Sequence, residues 1–303
     1  MLTLRPEQAK LTRTGTNRRH RRAFGALIRT ALRMNSASAM TPSPPPVSSE
    51  RDDSCAVLKF GGTSLATPER IRSAARIVRD EFLRLGAAGA ERPKVAVVVS
   101  AMGGDTDRLI SLVREVSATH DIREFDAVAT TGEVVSAALL AVALQDLGQP
   151  ARSWSGWQLP IHTTPVHGAA RIQEIDTREI RRRMEQGEVA VIAGYQGVET
   201  GRNRMTTLGR GGSDTTAVAL AVAPSAAHCG IFTDVDGGYT AGPRLVSRAR
   251  PLRGLGSVEV LVLAAAGSAV LLGRQAGLAA TNRIRLPGAA SFRARGRPFL
   301  GWR

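Results

Sequence analysis

The sequence predicts an α/β fold built on a mainly parallel sheet. Three observations lead there. Strand-like and helix-like segments alternate along the chain, as in successive βα units. Two runs, Lys94-Val-Ala-Val-Val-Val-Ser100 and Glu188-Val-Ala-Val-Ile-Ala193, are almost unbroken in apolar and β-branched residues, as strands buried on both faces are. Four loops rich in glycine or hydroxyl residues fall at element junctions, where an open parallel sheet gathers its ligand-binding edge.

The elements follow in chain order. Residues 1–55 are expected to form a disordered basic and proline-rich leader. Arg18, Arg19, Arg21 and Arg22 cluster, a short apolar stretch runs from Ala26 to Leu32, and Thr41-Pro-Ser-Pro-Pro-Pro46 follows. The proline run favours extended backbone. Such a leader fits a disordered tail, a start placed too early or an organellar transit peptide. It lacks the compact apolar core and cleavage site of a secretory signal. Regular structure is expected from Ala56, where Ala56-Val-Leu-Lys-Phe reads as a short strand ending in Gly61-Gly62-Thr63-Ser64. Pro68 suits a first helical turn, and Glu69 to Leu85 has helical periodicity. After the strand at Lys94, helices are expected over Asp105 to Val116 and Glu133 to Leu144. A second buried strand at Glu188 precedes a helix over Asp214 to Val222 and a strand at Cys229-Gly-Ile-Phe-Thr233. A helix over Ser257 to Ala266 and a half-buried strand at Asn282-Arg-Ile-Arg-Leu286 close the pattern. No internal repeat is visible.

Composition bounds the function. The chain has 303 residues with 43% hydrophobic content, enough for a sizeable core. Aromatics are 4%, too few for a base-stacking platform. Cys55 and Cys229 are the two cysteines, so no disulfide framework is expected and a reducing, cytoplasmic compartment is the default. No run of 18 apolar residues is present, so no membrane span is expected. The net charge of +15 resides at the ends: residues 1–50 carry +7, residues 283–303 carry +6, and the 232 residues between carry +2. Nucleic-acid binding by a basic face of the core is therefore not expected. The three lysines, Lys10, Lys59 and Lys94, stand against 38 arginines.

The four loops are Lys59-Phe-Gly-Gly-Thr-Ser64, Ser100-Ala-Met-Gly-Gly104, Gly209-Arg-Gly-Gly-Ser-Asp214 and Thr233-Asp-Val-Asp-Gly237. Glycine permits close backbone approach, and free amides at helix starts face anions. Four such loops suggest a site for a large polyanion such as a nucleotide. Neither GxxxxGK[ST] nor GxGxxG is present. Lys59 instead precedes its glycines, so its ammonium can meet phosphates held over the Gly61 and Gly62 amides. Asp214 can cap the helix it begins, organise Lys59 and nearby phosphate groups, or do both. Asp234 and Asp236 either position nucleotide hydroxyls or a magnesium shell, or make an Asx turn. Glu133 lies at a helix start, where a carboxylate is tolerated. In a buried setting it would recognise an ammonium. Arg210 sits between glycines and suits a bidentate grip on a carboxylate. A substrate with both an amino and a carboxylate group fits this pair. His162 and His167 read as structural or surface residues. No metal-ligand set, CxxC or HExxH pattern is present, so a zinc enzyme or cysteine hydrolase is unsupported.

The chain resembles the aspartate kinases of the amino-acid kinase superfamily. The matching stretches include Val57-Leu-Lys-Phe-Gly-Gly-Thr-Ser64, Val98-Val-Ser-Ala-Met-Gly-Gly-Asp-Thr-Asp-Arg-Leu109, Thr131-Gly-Glu-Val-Val-Ser-Ala-Ala-Leu139 and Gly194-Tyr-Gln-Gly197. Thr206-Thr-Leu-Gly-Arg-Gly-Gly-Ser-Asp-Thr-Thr-Ala-Val-Ala-Leu220 and Thr233-Asp-Val-Asp-Gly-Gly-Tyr-Thr-Ala-Gly-Pro-Arg244 continue the match. The resemblance spans about residues 56–292, taken as the catalytic domain, with 293–303 as a basic tail. It implies a three-layer α/β/α sandwich. It also implies transfer of the ATP γ-phosphate to the side-chain carboxylate of L-aspartate, with Mg2+. The product, 4-phospho-L-aspartate, begins the route to lysine, threonine, methionine and diaminopimelate. Carried over by motif, Lys59 stabilises the transferring phosphoryl group and Asp214 orients it. Gly61, Gly62, Ser64, Gly211, Gly212 and the Ser100 loop line the phosphates. Glu133 holds the substrate ammonium, and Arg210 and Ser213 hold its carboxylates. Thr233, Asp234, Tyr239 and Arg244 bind the nucleotide.

Three departures accompany the resemblance. Gly242 stands where the family commonly has an aspartate before Pro-Arg. Ala269 stands where it has a second phosphate-contacting lysine, and Gly273 replaces a proline. No sequence like the two ACT modules of family members follows the kinase domain, so feedback inhibition through them is not expected. A homodimer is then expected to be weakened. The expectations that follow are an aspartate kinase domain, a catalytically impaired nucleotide-binding remnant of one, and last a nucleic-acid-binding protein using its basic ends.

Overall fold

The computed structural model describes residues 52–223, 226–233 and 288–290. Six strands form one sheet: β1 (Asp52–Phe60), β2 (Lys94–Val99), β3 (Ala151–Trp154), β6 (Val189–Ala193), β9 (Ala226–Thr233) and β10 (Gly288–Ala290). Their order is β10-β9-β1-β2-β6-β3, and every pairing is parallel. A smaller mixed sheet holds β4 (Ile161–Thr163), β5 (Ile172–Ile175), β7 (Gln196–Glu199) and β8 (Met205–Thr207), in the order β5-β4-β7-β8. The helices are α1 (Pro68–Ala87), α2 (Asp105–Val116), α3 (Ile122–Ala129), α4 (Thr131–Asp146), α5 (Arg178–Met184) and α6 (Gly212–Val222).

The period-two alternation of the strands divides the interior into two cores. On one face, Ala56, Leu58 and Phe60 of β1 join Val95, Val97 and Val99 of β2. They meet Ile71, Ala74, Ala75 and Val78 of α1, and Leu140 and Leu144 of α4. On the other face, Val57 of β1, Val98 of β2 and Ile192 of β6 meet Ala217, Val218, Leu220 and Ala221 of α6 and Ile180 and Met184 of α5. Helices therefore cover both faces, which gives the three-layer α/β/α sandwich. The continuous apolar runs at 94–100 and 188–193 are continuous because β2 and β6 have no solvent face.

Local chemistry starts the elements. Thr67 caps α1 by accepting from the Arg70 amide, and Pro68 occupies the first turn. The α2 helix spans the expected range, Asp105–Val116. β1 begins at Asp52, earlier than the Ala56 expected. Its polar first residues show no strand pattern, but Lys94 Nζ lies 2.7 Å from Asp52 Oδ2 and pins them to β2. The expected start of α4 at Glu133 moves to Thr131, and α6 begins at Gly212 rather than Asp214. The smaller sheet, β3, α3 and α5 went unread, because each is only three to eight residues long. The helix expected at Ser257 to Ala266 and the strand at Asn282 to Leu286 lie outside the described residues.

The stretch Ile122–Asp146 is long and apolar enough to cross a membrane by length and composition alone. It comprises α3 and α4, and half of the relevant window is buried within the fold, as in a core helix.

Candidate active site

Backbone hydrogen bonds level the C-terminal ends of four neighbouring strands. The Gly61 amide donates to Phe232 O at 3.1 Å, Ser100 N to Phe60 O at 3.1 Å, and Gly194 N to Val99 O at 3.0 Å. β9, β1, β2 and β6 thus end along one edge of the sheet, where ligands bind in open parallel sheets. Gly62–Leu65 forms a 3₁₀ turn, and buried Ser64 donates its hydroxyl to Phe232 O at 3.4 Å. A Cβ on Gly62 would lie 2.8 Å from the Ala101 carbonyl oxygen. Only glycine lets these two loops pass so closely.

Lys59 lies one residue from the end of β1 and is 8% exposed. Its Nζ is 2.7 Å from Asp214 Oδ1 in the first turn of α6. The N-cap of α6 is Gly211, no side chain caps it, and the Asp214 carboxylate turns to Lys59. The pair offsets the cost of withdrawing an ammonium from water. A Cβ on Gly61 would be 3.6 Å from Lys59 Nζ, so the ammonium lies beside the Gly61 backbone.

Glu133 occupies the first turn of α4 and is 3% exposed. Its Oε1 accepts the Ala101 amide at 3.2 Å, while Oε2 has no partner among the described residues. Burial pushes its carboxyl up to about 7, against the lowering effect of the Ala101 amide. Ser100 is half-buried, and its loop reaches Glu133 through that amide. Contact is close because a Cβ on Gly132 would sit 2.8 Å from Ala101 Cβ.

Arg210 is exposed at the crest of an arch between Gly209 (φ 73°) and Gly211 (φ 71°). Both glycines use the left-handed region that other residues avoid. Gly212 N donates to Gly209 O at 2.9 Å and closes the arch. Arg210 has no carboxylate partner among the described residues. Ser213 is buried against Gly194, where a Cβ would be 2.8 Å from Ser213 Cβ. Thr233 ends β9. Asp234, Asp236, Tyr239, Arg244, Gly242, Ala269 and Gly273 lie outside the described residues.

Sequence reasoning missed Asp126. This fully buried residue of α3 accepts from Thr207 Oγ1 at 2.7 Å, Thr207 N at 3.1 Å and Gly168 N at 3.1 Å, and contacts His167 Nδ1 at 2.8 Å. His167, expected to be a structural or surface residue, has its side chain enclosed in this network. Its Nε2 faces Glu199 Oε2 at 3.6 Å. Among the described residues, no group of three or more His, Cys, Asp or Glu is placed to hold a metal.

The Amino acid kinase family matches residues 54–285. The chain is 48% identical over 216 residues to an aspartokinase of Geobacillus stearothermophilus, covering 71% of this chain and 51% of that one. It therefore spans about half the length of the curated relatives it matches. Among solved structures, the aspartate kinase from Synechocystis superposes with a TM-score of 0.69 at 40% identity, covering 82% of this chain and 39% of that one. Aspartokinase III of E. coli, in complex with aspartate and ADP, superposes with a TM-score of 0.69 at 26% identity, covering 80% and 63%.

Proposed function

The chain belongs to the amino acid kinase family, and from that premise we propose that it transfers the ATP γ-phosphoryl group to the side-chain carboxylate of L-aspartate. The products are 4-phospho-L-aspartate and ADP. The observation that carries this is Lys59, a buried ammonium held against Asp214 on the edge where the glycine loops converge. The likeness to the E. coli enzyme that binds aspartate and ADP supports the choice of substrates.

In the transfer, a carboxylate oxygen forms a bond to the γ-phosphorus as the bond to the β–γ bridging oxygen breaks. The nucleophile is already an anion at neutral pH, so no proton need be removed. What the protein supplies is alignment and positive charge. Lys59 meets the charge on the transferring group, and Asp214 fixes its ammonium. The Gly61, Gly62, Gly211 and Gly212 backbones and Ser64 shape the phosphate seat, with the Ser100 loop beside it. The bare Oε2 of Glu133 takes the substrate ammonium, and Arg210 and Ser213 take its carboxylates. Thr233, Asp234, Tyr239 and Arg244 complete the nucleotide side. Mg2+ bound with the nucleotide would supply further positive charge to the phosphates, and Asp234 and Asp236 are the carboxylates that would hold its shell. The cytoplasm is the proposed compartment, since Cys55 and Cys229 are both free and buried.

The test is ADP release by the full chain with magnesium and ATP, with and without L-aspartate. Release that depends on L-aspartate is expected. Equal release in both arms, or none from folded protein that binds ATP, would contradict the proposal.

A further inference from the structure

We infer that Asp126 is a positioning residue that sets the Arg210 arch relative to the Glu133 end of α4, an inference that rests on the proposed aspartate kinase activity. The Asp126 side chain is wholly enclosed, and among the described residues every hydrogen bond it accepts comes from the strand that leads to the arch or from the loop that packs against it. Oδ1 takes the Thr207 hydroxyl, and Oδ2 takes the Thr207 and Gly168 amides and faces the His167 ring. Thr207 is the last residue of β8, just before Leu208 and the arch.

The second grip comes through the His167–Gly168 loop. A Cβ on Gly209 would sit 2.9 Å from Gly168 O, so that carbonyl rests directly on the first glycine of the arch. Ala170 N donates to Thr207 O at 2.9 Å and ties the same loop to the end of β8. On its far side the arch is held by α6, through Thr215 N to Gly211 O at 3.1 Å. The backbone of Arg210 is thus seated from both flanks, and one flank depends on Asp126.

Asp126 also belongs to the helix that runs into α4. Only Thr130 separates α3 from α4, and Thr130 O accepts from Gln196 Nε2 at 3.0 Å. Gln196 pairs with Thr207 across β7 and β8. The carboxylate therefore joins the element that carries the ammonium-binding Glu133 to the strand that delivers the carboxylate-binding Arg210. Holding both ends of one small substrate requires such a fixed span. A misplacement near 1 Å can cost about 100-fold in a positioned reaction.

The experiment compares the unaltered full chain with Arg210→Ala, Asp126→Asn, Thr207→Val, Thr207→Ser and the double variant Asp126→Asn/Arg210→Ala. Each is measured for KM of L-aspartate, KM of ATP, kcat and thermal midpoint. Asp126→Asn is expected to raise KM for L-aspartate about 10- to 100-fold while KM for ATP stays within about threefold. Thr207→Val should move KM for L-aspartate in the same direction, and Thr207→Ser, which keeps the hydroxyl, should restore it. The Asp126 effect should largely vanish in the Arg210→Ala background, because it acts through that residue. If Asp126→Asn fails to fold, the two Thr207 variants decide the matter by the same KM split. Equal changes in both KM values, or effects that simply add in the double variant, would overturn the inference and leave the activity standing. No L-aspartate-dependent turnover by the unaltered chain, or no change in KM for L-aspartate in Arg210→Ala, would overturn the reading of the site and this inference with it.

Discussion

The Glu133 carboxyl titrates at about 7 because burial disfavours its charged form more than the Ala101 amide favours it. A substrate ammonium needs the ionised form. Affinity for L-aspartate should therefore be steady above pH 7 and fall up to about tenfold per pH unit below it. Glu133→Gln should bind more weakly and lose that pH dependence, as calorimetric titration between pH 5.5 and 8.5 would show. Stability carries the opposite sign. The folded value lies above the ordinary 4.5, so the stability tied to protonated Glu133 is full below about 4.5 and lost as pH rises through about 7. The total is ~3 kcal/mol, and Glu133→Gln should flatten that slope in denaturant titrations. Lys59→Met should lower kcat about 100- to 1,000-fold, as for loss of one group that meets transition-state charge, while ATP still binds. Unchanged turnover would remove Lys59 from the chemistry. Lys59, Glu133 and Arg210 were legible because each stands in a local run of glycine and hydroxyl residues. Asp126 was not. Its partners His167 and Thr207 lie 41 and 81 residues away, and nothing around it in sequence marks it.

Elements place these residues by where they stop. β1, β2 and β6 end level, so their loops meet, and the contact between the Gly62 and Ala101 loops tolerates no extra atom. Gly62→Ala should cost about 1–3 kcal/mol, since the obstructing atom is backbone and cannot turn aside. Gly61→Ala should stay within about 0.5 kcal/mol of the unaltered chain, because among the described residues the nearest atom its methyl would meet, Lys59 Nζ, is at 3.6 Å. Its methyl beside the ammonium should nonetheless lower turnover. Chemical denaturation of the two variants, read beside kcat, separates these outcomes. A Gly62→Ala variant as stable as the unaltered chain would show that the loops can part. The long elements were readable from period alone, α1 from its buried Ile71, Ala74, Ala75 and Val78, and β2 from its valines. The second sheet was not. Its strands are three or four residues long, and β7 is interrupted by Gly197, which is buried where a side chain would strike Thr163 and Ile161.

For the whole molecule, two apolar cores clamp a parallel sheet, and the site grows from one edge of it. The α/β class followed from the alternation of elements. The three layers followed from the family resemblance, and the split of β1 and β2 side chains between two cores confirms them. A nucleotide that binds only the folded state should stabilise this body by about 2.7 kcal/mol at a free concentration 100 times its Kd. ADP should therefore raise the thermal midpoint in a concentration-dependent way, and inorganic phosphate alone should do so far less. An unmoved midpoint at saturating ADP would count against a nucleotide site on this edge. The most direct measurement is the bond itself: the full chain is incubated with magnesium, ATP and L-aspartate, and the product is trapped with hydroxylamine. Aspartyl hydroxamate that forms only with L-aspartate and is lost in Lys59→Met is the expected result. ATP consumed without hydroxamate, or equal hydroxamate from Lys59→Met, would contradict phosphoryl transfer to a carboxylate at this site.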